Sequence, residues 1–263
     1  MQWREILAPD GAVLSLGIVE PSAPRITLVC VHGWTLDHRS FRKQIPLCDL
    51  GVRLVVFDRR GFGENAAAPG LDLEMDDLNA VIEQFDGPVI GFGVSQGARL
   101  LMRHSVCYPD RLAGLVVQGG LVDGLPTDAE EIPVARFSAL IQAGDLQTFF
   151  CEWLAHPLMG AGVPPSEQEE VADLVSGYKG RDLMPYAIQA EPMDITAALQ
   201  SASVPLAVIE ASEENEVRRR HAVFLAQQCG ATAIPMPGGH LCHFTHADVF
   251  NARLMEWLTR LGH

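Results

Sequence analysis

The stretch PVIGFGVSQGARLL, residues 88–101, decides how the rest of the chain is read. It opens on an apolar run of strand length and passes through Gly93-Val94-Ser95-Gln96-Gly97 into good helix formers, so it predicts a strand, a sharp turn and a helix. A serine at such a turn is pushed into an unfavourable backbone conformation. Its neighbours two residues away must then be small, and Gly93 and Gly97 meet that need. The hydroxyl stands clear of the sheet at a helix N-terminus, where unpaired N–H groups favour developing negative charge. These are the requirements of an activated nucleophile. The five-residue pattern is common by chance, and the flanking strand and helix give it its meaning.

Working outward, residues 25–31 and 52–57 are continuous apolar runs, as expected for strands buried on both faces of a parallel sheet. Around Pro9-Asp10-Gly11, residues 3–7 and 12–19 predict a hairpin. Residues 37–50 look helical. From 74 to 85 the positions Met75, Leu78, Val81, Ile82 and Phe85 fall on one helical face. Residues 112–117, 205–209 and 231–235 supply further strands, and 218–229 a further helix. The last helix carries Phe250, Leu254, Trp257 and Leu258, with Thr245-x-x-Asp248 as a candidate start. Strand and helix alternate with short connections, which predicts a mostly parallel sheet covered on both sides. The rhythm is interrupted at 122–203, where helical pieces rich in Phe, Trp, Leu and Met are broken by prolines. The chain is therefore expected to form one α/β core, 1–121 with 204–263, carrying a helical cap, 122–203, over the sheet's carboxyl edge.

At 263 residues and 48% hydrophobic the chain can bury a sizeable core, and a formal net charge of −14 argues against nucleic acid or an anionic membrane as partner. With no basic-then-apolar leader and no run long enough to span a bilayer, a cytoplasmic protein is expected, monomer or homodimer, whose partner is a small-molecule substrate. The six cysteines show no C-x-x-C pairing and are expected to be buried thiols.

A serine hydroxyl needs a base to take its proton. His240 follows Pro237-Gly238-Gly239 at the end of the last strand and is the favoured base, with His243 and His246 as alternatives. The ring's other N–H needs an acceptor. Glu214, on the acidic loop after the 205–209 strand, is the first choice, Glu213 the next and Asp123 the third. An oxyanion must be met by backbone donors: the N–H of Gln96 after the nucleophile, and that of Trp34, where Gly33 leaves room. His32, Phe137, Phe150, Trp153 and Leu241 are expected near the substrate, His32 with a first duty to the loop backbone. The spacing His240-x-x-His243-x-x-His246 has the look of a metal cluster, but nothing is spaced to complete it, and a metal on His240 would disable the serine. No metal is expected. Gly91-Phe92-Gly93 lacks the third glycine of a dinucleotide fingerprint, and no cofactor is expected.

Taken together, His32-Gly33-Trp34 with Asp37-His38-Arg39, Asp58-Arg59-Arg60-Gly61-Phe62-Gly63, Gly93-Val94-Ser95-Gln96-Gly97, the acidic loop and Gly238-Gly239-His240 resemble the α/β-hydrolase superfamily over nearly the whole length. The likeness is to its small capped branch of esterases, enol-lactonases and C–C hydrolases, and the ending around Pro237-Gly238-Gly239-His240 is also similar to fungal resorcylic-lactone lactonases. It implies an eight-stranded, mostly parallel sheet and a serine hydrolase acting on an ester or lactone of an apolar or aromatic molecule through an acyl-enzyme, with activity falling as His240 protonates. C–C hydrolysis, cofactor-free dioxygenation and a non-catalytic receptor are the alternatives. Relatives usually have Asp at the position of Glu214, Gly at that of Ala211 and Ser at that of Asn65.

Overall fold

In the computed structural model, which describes residues 1–127, 132–188 and 190–262, the sheet is built around two adjacent strands that are buried at every position. These are β3, Ile26–Val31, and β5, Val89–Val94. They lie side by side in parallel at the centre of an eight-stranded sheet. The other strands are β1 (Gln2–Leu7), β2 (Val13–Val19), β4 (Val52–Phe57), β6 (Gly114–Gln118), β7 (Leu206–Ala211) and β8 (Thr232–Met236), in the spatial order β1-β2-β4-β3-β5-β6-β7-β8. The β1/β2 hairpin is antiparallel and all pairings from β4 to β8 are parallel.

The helices are α1 (Leu71–Ile82), α2 (Gln96–Cys107), α3 (Val134–Gln142), α4 (Leu146–Ala155), α5 (Pro157–Gly160), α6 (Gln168–Ser176), α7 (Thr196–Ser201), α8 (Glu216–Gln228), α9 (Cys242–Thr245) and α10 (Ala247–Arg260). One face of the sheet packs on α1, α2 and α8 through Leu78, Val81, Leu100, Leu101 and Leu225. The other packs on α10 and the segment before β4 through Phe41, Phe250, Leu254 and Trp257. Both layers follow from strands apolar on both sides, each fully buried aromatic contributing about 2–3 kcal/mol.

Between β6 and β7 run α3 to α7. A third apolar cluster joins Phe137, Phe149, Trp153 and Leu174 of this segment to Leu36, Phe62 and Leu241 on loops at the carboxyl edge of the sheet. Ile195 and Leu199, at its end, pack instead into the first core.

Four local expectations change. The 38–50 segment is helical, but in the tighter 3-10 form and with Pro46 inside it; Asp37 caps it and Gly51 ends it at φ 86°. Helix α1 begins at Leu71, three residues early, and leaves Phe85 beyond its end. Thr245 does not cap the last helix: it closes the short α9, where its hydroxyl lies 3.3 Å from Leu241 O and 3.0 Å from His246 Nδ1. The cysteines are all thiols, but Cys107 and Cys151 are exposed on amphipathic helices rather than buried.

Candidate active site

Ser95 joins β5 to α2 with φ 56° and ψ −117°. Only one other described non-glycine residue, Thr35 at φ 62°, has a left-handed φ. The two elbow glycines are required by close approach. A Cβ on Gly93 would lie 2.6 Å from Ala98 N, and one on Gly97 would lie 2.1 Å from Val31 O. The Ser95 N–H donates to Gln118 O at 2.7 Å, which ties the elbow to the end of β6. Its side chain caps nothing, so the hydroxyl is left for chemistry. Gln96, the first helical residue, has an N–H with no intrahelical partner. Its side-chain Oε1 accepts from Arg59 Nη1 at 2.9 Å, and buried Arg59 is itself held by buried Glu74 at 2.5 Å.

The loop after β8 carries His240, whose Nδ1–H donates to Glu214 Oε2 at 2.6 Å with both side chains nearly inaccessible to solvent. Burial alone would raise the carboxyl's pKa. The charge and hydrogen bond of His240, joined by the Arg218 guanidinium and the N–H of Asn215, outweigh that and hold it below the ordinary glutamate value. Gln118 Nε2 donates to His240 O at 2.8 Å and sits 2.9 Å from His243 Nδ1, so a single amide steadies the turn. Gly119, at φ 57°, leaves room for the imidazole: a Cβ there would lie 2.4 Å from His240 Cε1. Of the other candidate acids, Glu213 points to solvent and Asp123 accepts from Arg99 Nε at 2.7 Å.

Ser95 and His240 line one narrow crevice with Trp34, Trp153 and Leu241. Among the described residues no hydrogen bond joins Ser95 Oγ to the ring; Oγ accepts from Arg218 Nη1 at 3.4 Å. The loop after β3 lies against the elbow, since a Cβ on Gly33 would lie 3.1 Å from that of Ser95. Next to the crevice a cavity of about 250 Å3 is walled by Trp34, Ser95, Gln96, Arg99, Leu121, Ile132, Val134, Asp182, Leu183 and Arg218.

The sequence model of the alpha/beta hydrolase family matches residues 28–253. The chain belongs to that family. It is 24% identical over 246 residues to the pimeloyl-[acyl-carrier protein] methyl ester esterase of Shewanella woodyi, covering 89% of this chain and 94% of that one. Among solved structures it is similar to a thermophilic esterase from Thermogutta terrifontis (TM-score 0.80, 20% identity, 99% of each chain). It is also similar to an esterase from Exiguobacterium antarcticum (TM-score 0.81, 18% identity, 98% of this chain and all of that one).

In this alpha/beta hydrolase the remaining predicted residues fall in two groups. Trp153 and Leu241 line the crevice, Trp153 donating from Nε1 to Thr35 Oγ1 at 2.7 Å. Phe137 and Phe150 pack against Phe149 and border neither the crevice nor the cavity. His32 donates from Nδ1 to Gly33 O and accepts at Nε2 from Arg59 N. Burial, with Arg59 alongside, lowers its pKa to about 4, so it is a neutral brace for the loop. The three histidines of the apparent metal spacing face different partners: Glu214 for His240, Gln118 for His243 and Thr245 for His246. Asp37, His38 and Asp58 bring one ligand atom each within 4.8 Å of one another. Asp37, however, is taken by Arg39, and Asp58 by His38 and two backbone N–H groups.

Residues that sequence reasoning missed are Arg218, Gly119, Asp182 and Arg99. Gly119 was detectable as a glycine directly after a buried strand. Arg99 was detectable as one turn beyond the serine. Nothing local marks Arg218 or Asp182, which arrive from distant segments.

Proposed function

We propose that this alpha/beta hydrolase cleaves carboxylic esters or lactones of small molecules through an acyl-enzyme on Ser95, with no cofactor or metal. The observation that carries the reading is a strained serine at a strand-to-helix turn, lining the same crevice as a histidine whose far nitrogen is held by a buried glutamate. Ser95 Oγ attacks the carbonyl carbon while His240 Nε2 takes its proton, and Glu214 fixes the tautomer and stabilises the imidazolium. The N–H groups of Gln96 and Trp34 receive the oxyanion. His240 then protonates the leaving oxygen, and water attacks the acyl-enzyme by the same route in reverse. The printed activity of the Shewanella relative, an esterase, agrees with this chemistry. In this reading residues 122–203 form a cap over the site, and the protein works in the cytoplasm.

A second reading draws on the Oγ contact with Arg218 and uses the His240–Glu214 pair as a base that deprotonates the substrate without Ser95. One experiment separates the two. Under the first, Ser95→Ala lowers hydrolysis of a simple aryl ester by about 1,000-fold or more with the fold intact by circular dichroism, and a fluorophosphonate adduct maps to Ser95. Retained turnover in Ser95→Ala takes the serine out of the mechanism and selects the second.

A further inference from the structure

The cavity beside Ser95 has two cations on its wall although the chain is acidic overall. The protein carries a formal net charge of −14, yet the charged side chains on this wall, among the described residues, are two guanidiniums, Arg99 and Arg218, and one carboxylate, Asp182. That carboxylate is already engaged at both oxygens. Trp34 Nε1 donates to Oδ2 at 2.6 Å and the Tyr178 hydroxyl donates to Oδ1 at 2.6 Å. Burial also raises its pKa, which weakens it as a competing anion.

The two cations are placed differently. Arg218 is 4% exposed, donates from Nη1 to Gly119 O and holds the same nitrogen 3.4 Å from Ser95 Oγ, so it stands beside any carbonyl under attack. Arg99 is one helical turn beyond Ser95, and helical side chains lean toward the N-terminus, which brings its guanidinium back over the cavity. Asp123 anchors its Nε at 2.7 Å and so fixes the fork. Its two terminal nitrogens make no hydrogen bond among the described residues. The N-terminus of α2 adds positive partial charge at the same place. The rest of the wall is apolar: Leu121, Ile132, Val134 and Leu183.

We infer that the substrate is an ester or lactone that also bears a carboxylate, seated on the terminal nitrogens of Arg99, with a short apolar spacer between it and the carbonyl attacked by Ser95. This rests on the serine-hydrolase reading and replaces a purely apolar substrate with an anionic one. A planar guanidinium with its terminal edge free matches a carboxylate bidentately, a geometry that a lysine does not reproduce.

The test uses three p-nitrophenyl esters of one chain length, ending in a carboxylate (glutarate half-ester), a carboxamide (glutaramate) and a methyl group (valerate). The wild-type chain should favour the carboxylate over the carboxamide by about 10- to 100-fold in kcat/KM, less at high salt. Arg99→Gln should lower that ratio about tenfold or more, and Arg99→Lys should keep part of it. A wild-type ratio near one, or a preference that Arg99→Gln leaves in place, overturns the anion site while leaving the hydrolase reading standing. Failure to turn over any of the three esters, with no fluorophosphonate adduct on Ser95, overturns the hydrolase reading and the substrate class with it.

Discussion

Among the described residues two histidine–carboxylate pairs stand at the carboxyl ends of the strands, and they are nearly the same length. His240 meets Glu214 at 2.6 Å beyond β8 and β7; His38 meets Asp58 at 2.7 Å beyond β3 and β4. The difference lies in what surrounds them. Around His240 stand a serine in a left-handed conformation, a helix N-terminus and a loop lying close against the elbow. Around His38 stand the Trp3 ring, edge-on at 5.0 Å, and a groove of about 800 Å3, larger than the cavity at Ser95. Asp58 also accepts from the N–H groups of His38 and Glu64, and a Cβ on Gly63 would lie 2.2 Å from its Oδ2. On the proposed function one pair serves a nucleophile, while the other holds a turn. An imidazole with a carboxylate, and even a roomy groove, does not make a catalytic site without an oxygen to activate.

The largest effect should come from the first pair. Glu214→Gln keeps the shape but presents the wrong tautomer, and kcat on an aryl ester should fall by about 100- to 10,000-fold with little change in melting temperature. Glu213→Gln, at the solvent-facing neighbour, should change kcat by less than about threefold. A large loss in Glu213→Gln with little loss in Glu214→Gln would return the acid to Glu213.

The second pair should respond in stability instead. Asp58→Asn should cost about 2 kcal/mol in denaturant unfolding and leave kcat within a few-fold. At His38 burial opposes the charge, but the hydrogen bond and charge of Asp58 win and raise its pKa. Asp58 itself, against burial, is lowered to about 2 by His38 and its neighbours. The raised imidazole contributes fully below its unfolded pKa of about 6.5, and that contribution is lost as pH climbs through the folded value. The depressed carboxyl contributes above about 4, and its share is lost as pH falls toward 2. The gap between wild type and Asp58→Asn should thus be widest from about pH 4 to 6.5. Abolished turnover in a folded Asp58→Asn would break the contrast between the two pairs.

How much of this could be read beforehand follows from the range of the forces involved. Strands β3, β4 and β5 and the elbow were legible because continuous apolar runs and a glycine-flanked serine are local signals. Nothing local separates Glu214 from Glu213, since the two are adjacent and both acidic; what separates them is the turn of the chain after β7, which buries one and exposes the other. Arg218 and Asp182 stayed invisible because an arginine on an amphipathic helix and an aspartate in a short 3-10 turn are ordinary surface residues until the fold turns them inward. The same limit applies to Phe137 and Phe150. Each packs on Phe149 inside the insertion, and apolar composition does not say which side of a helix faces the cavity.

The smallest effect concerns an imidazole with no carboxylate at all, and it isolates what pairing does. His104 on α2 is fully buried, stacks on Tyr108 at 4.8 Å and, among the described residues, has no hydrogen-bond partner at either ring nitrogen. Burial, with the charge of Arg111, lowers its pKa to about 4. Such a histidine takes up its proton first in the unfolded chain, so its stabilising share is complete above about pH 6.5 and declines as pH falls toward 4. His38, tied to Asp58, has the opposite sign over the same interval. In His104→Leu the stability lost between pH 7 and 5 should shrink by about 2 kcal/mol relative to wild type, read from urea unfolding at the two values. An unchanged pH slope would mean that the ring reaches a partner or solvent in the native state, and burial without pairing would then cease to distinguish it from the two histidines that hold carboxylates.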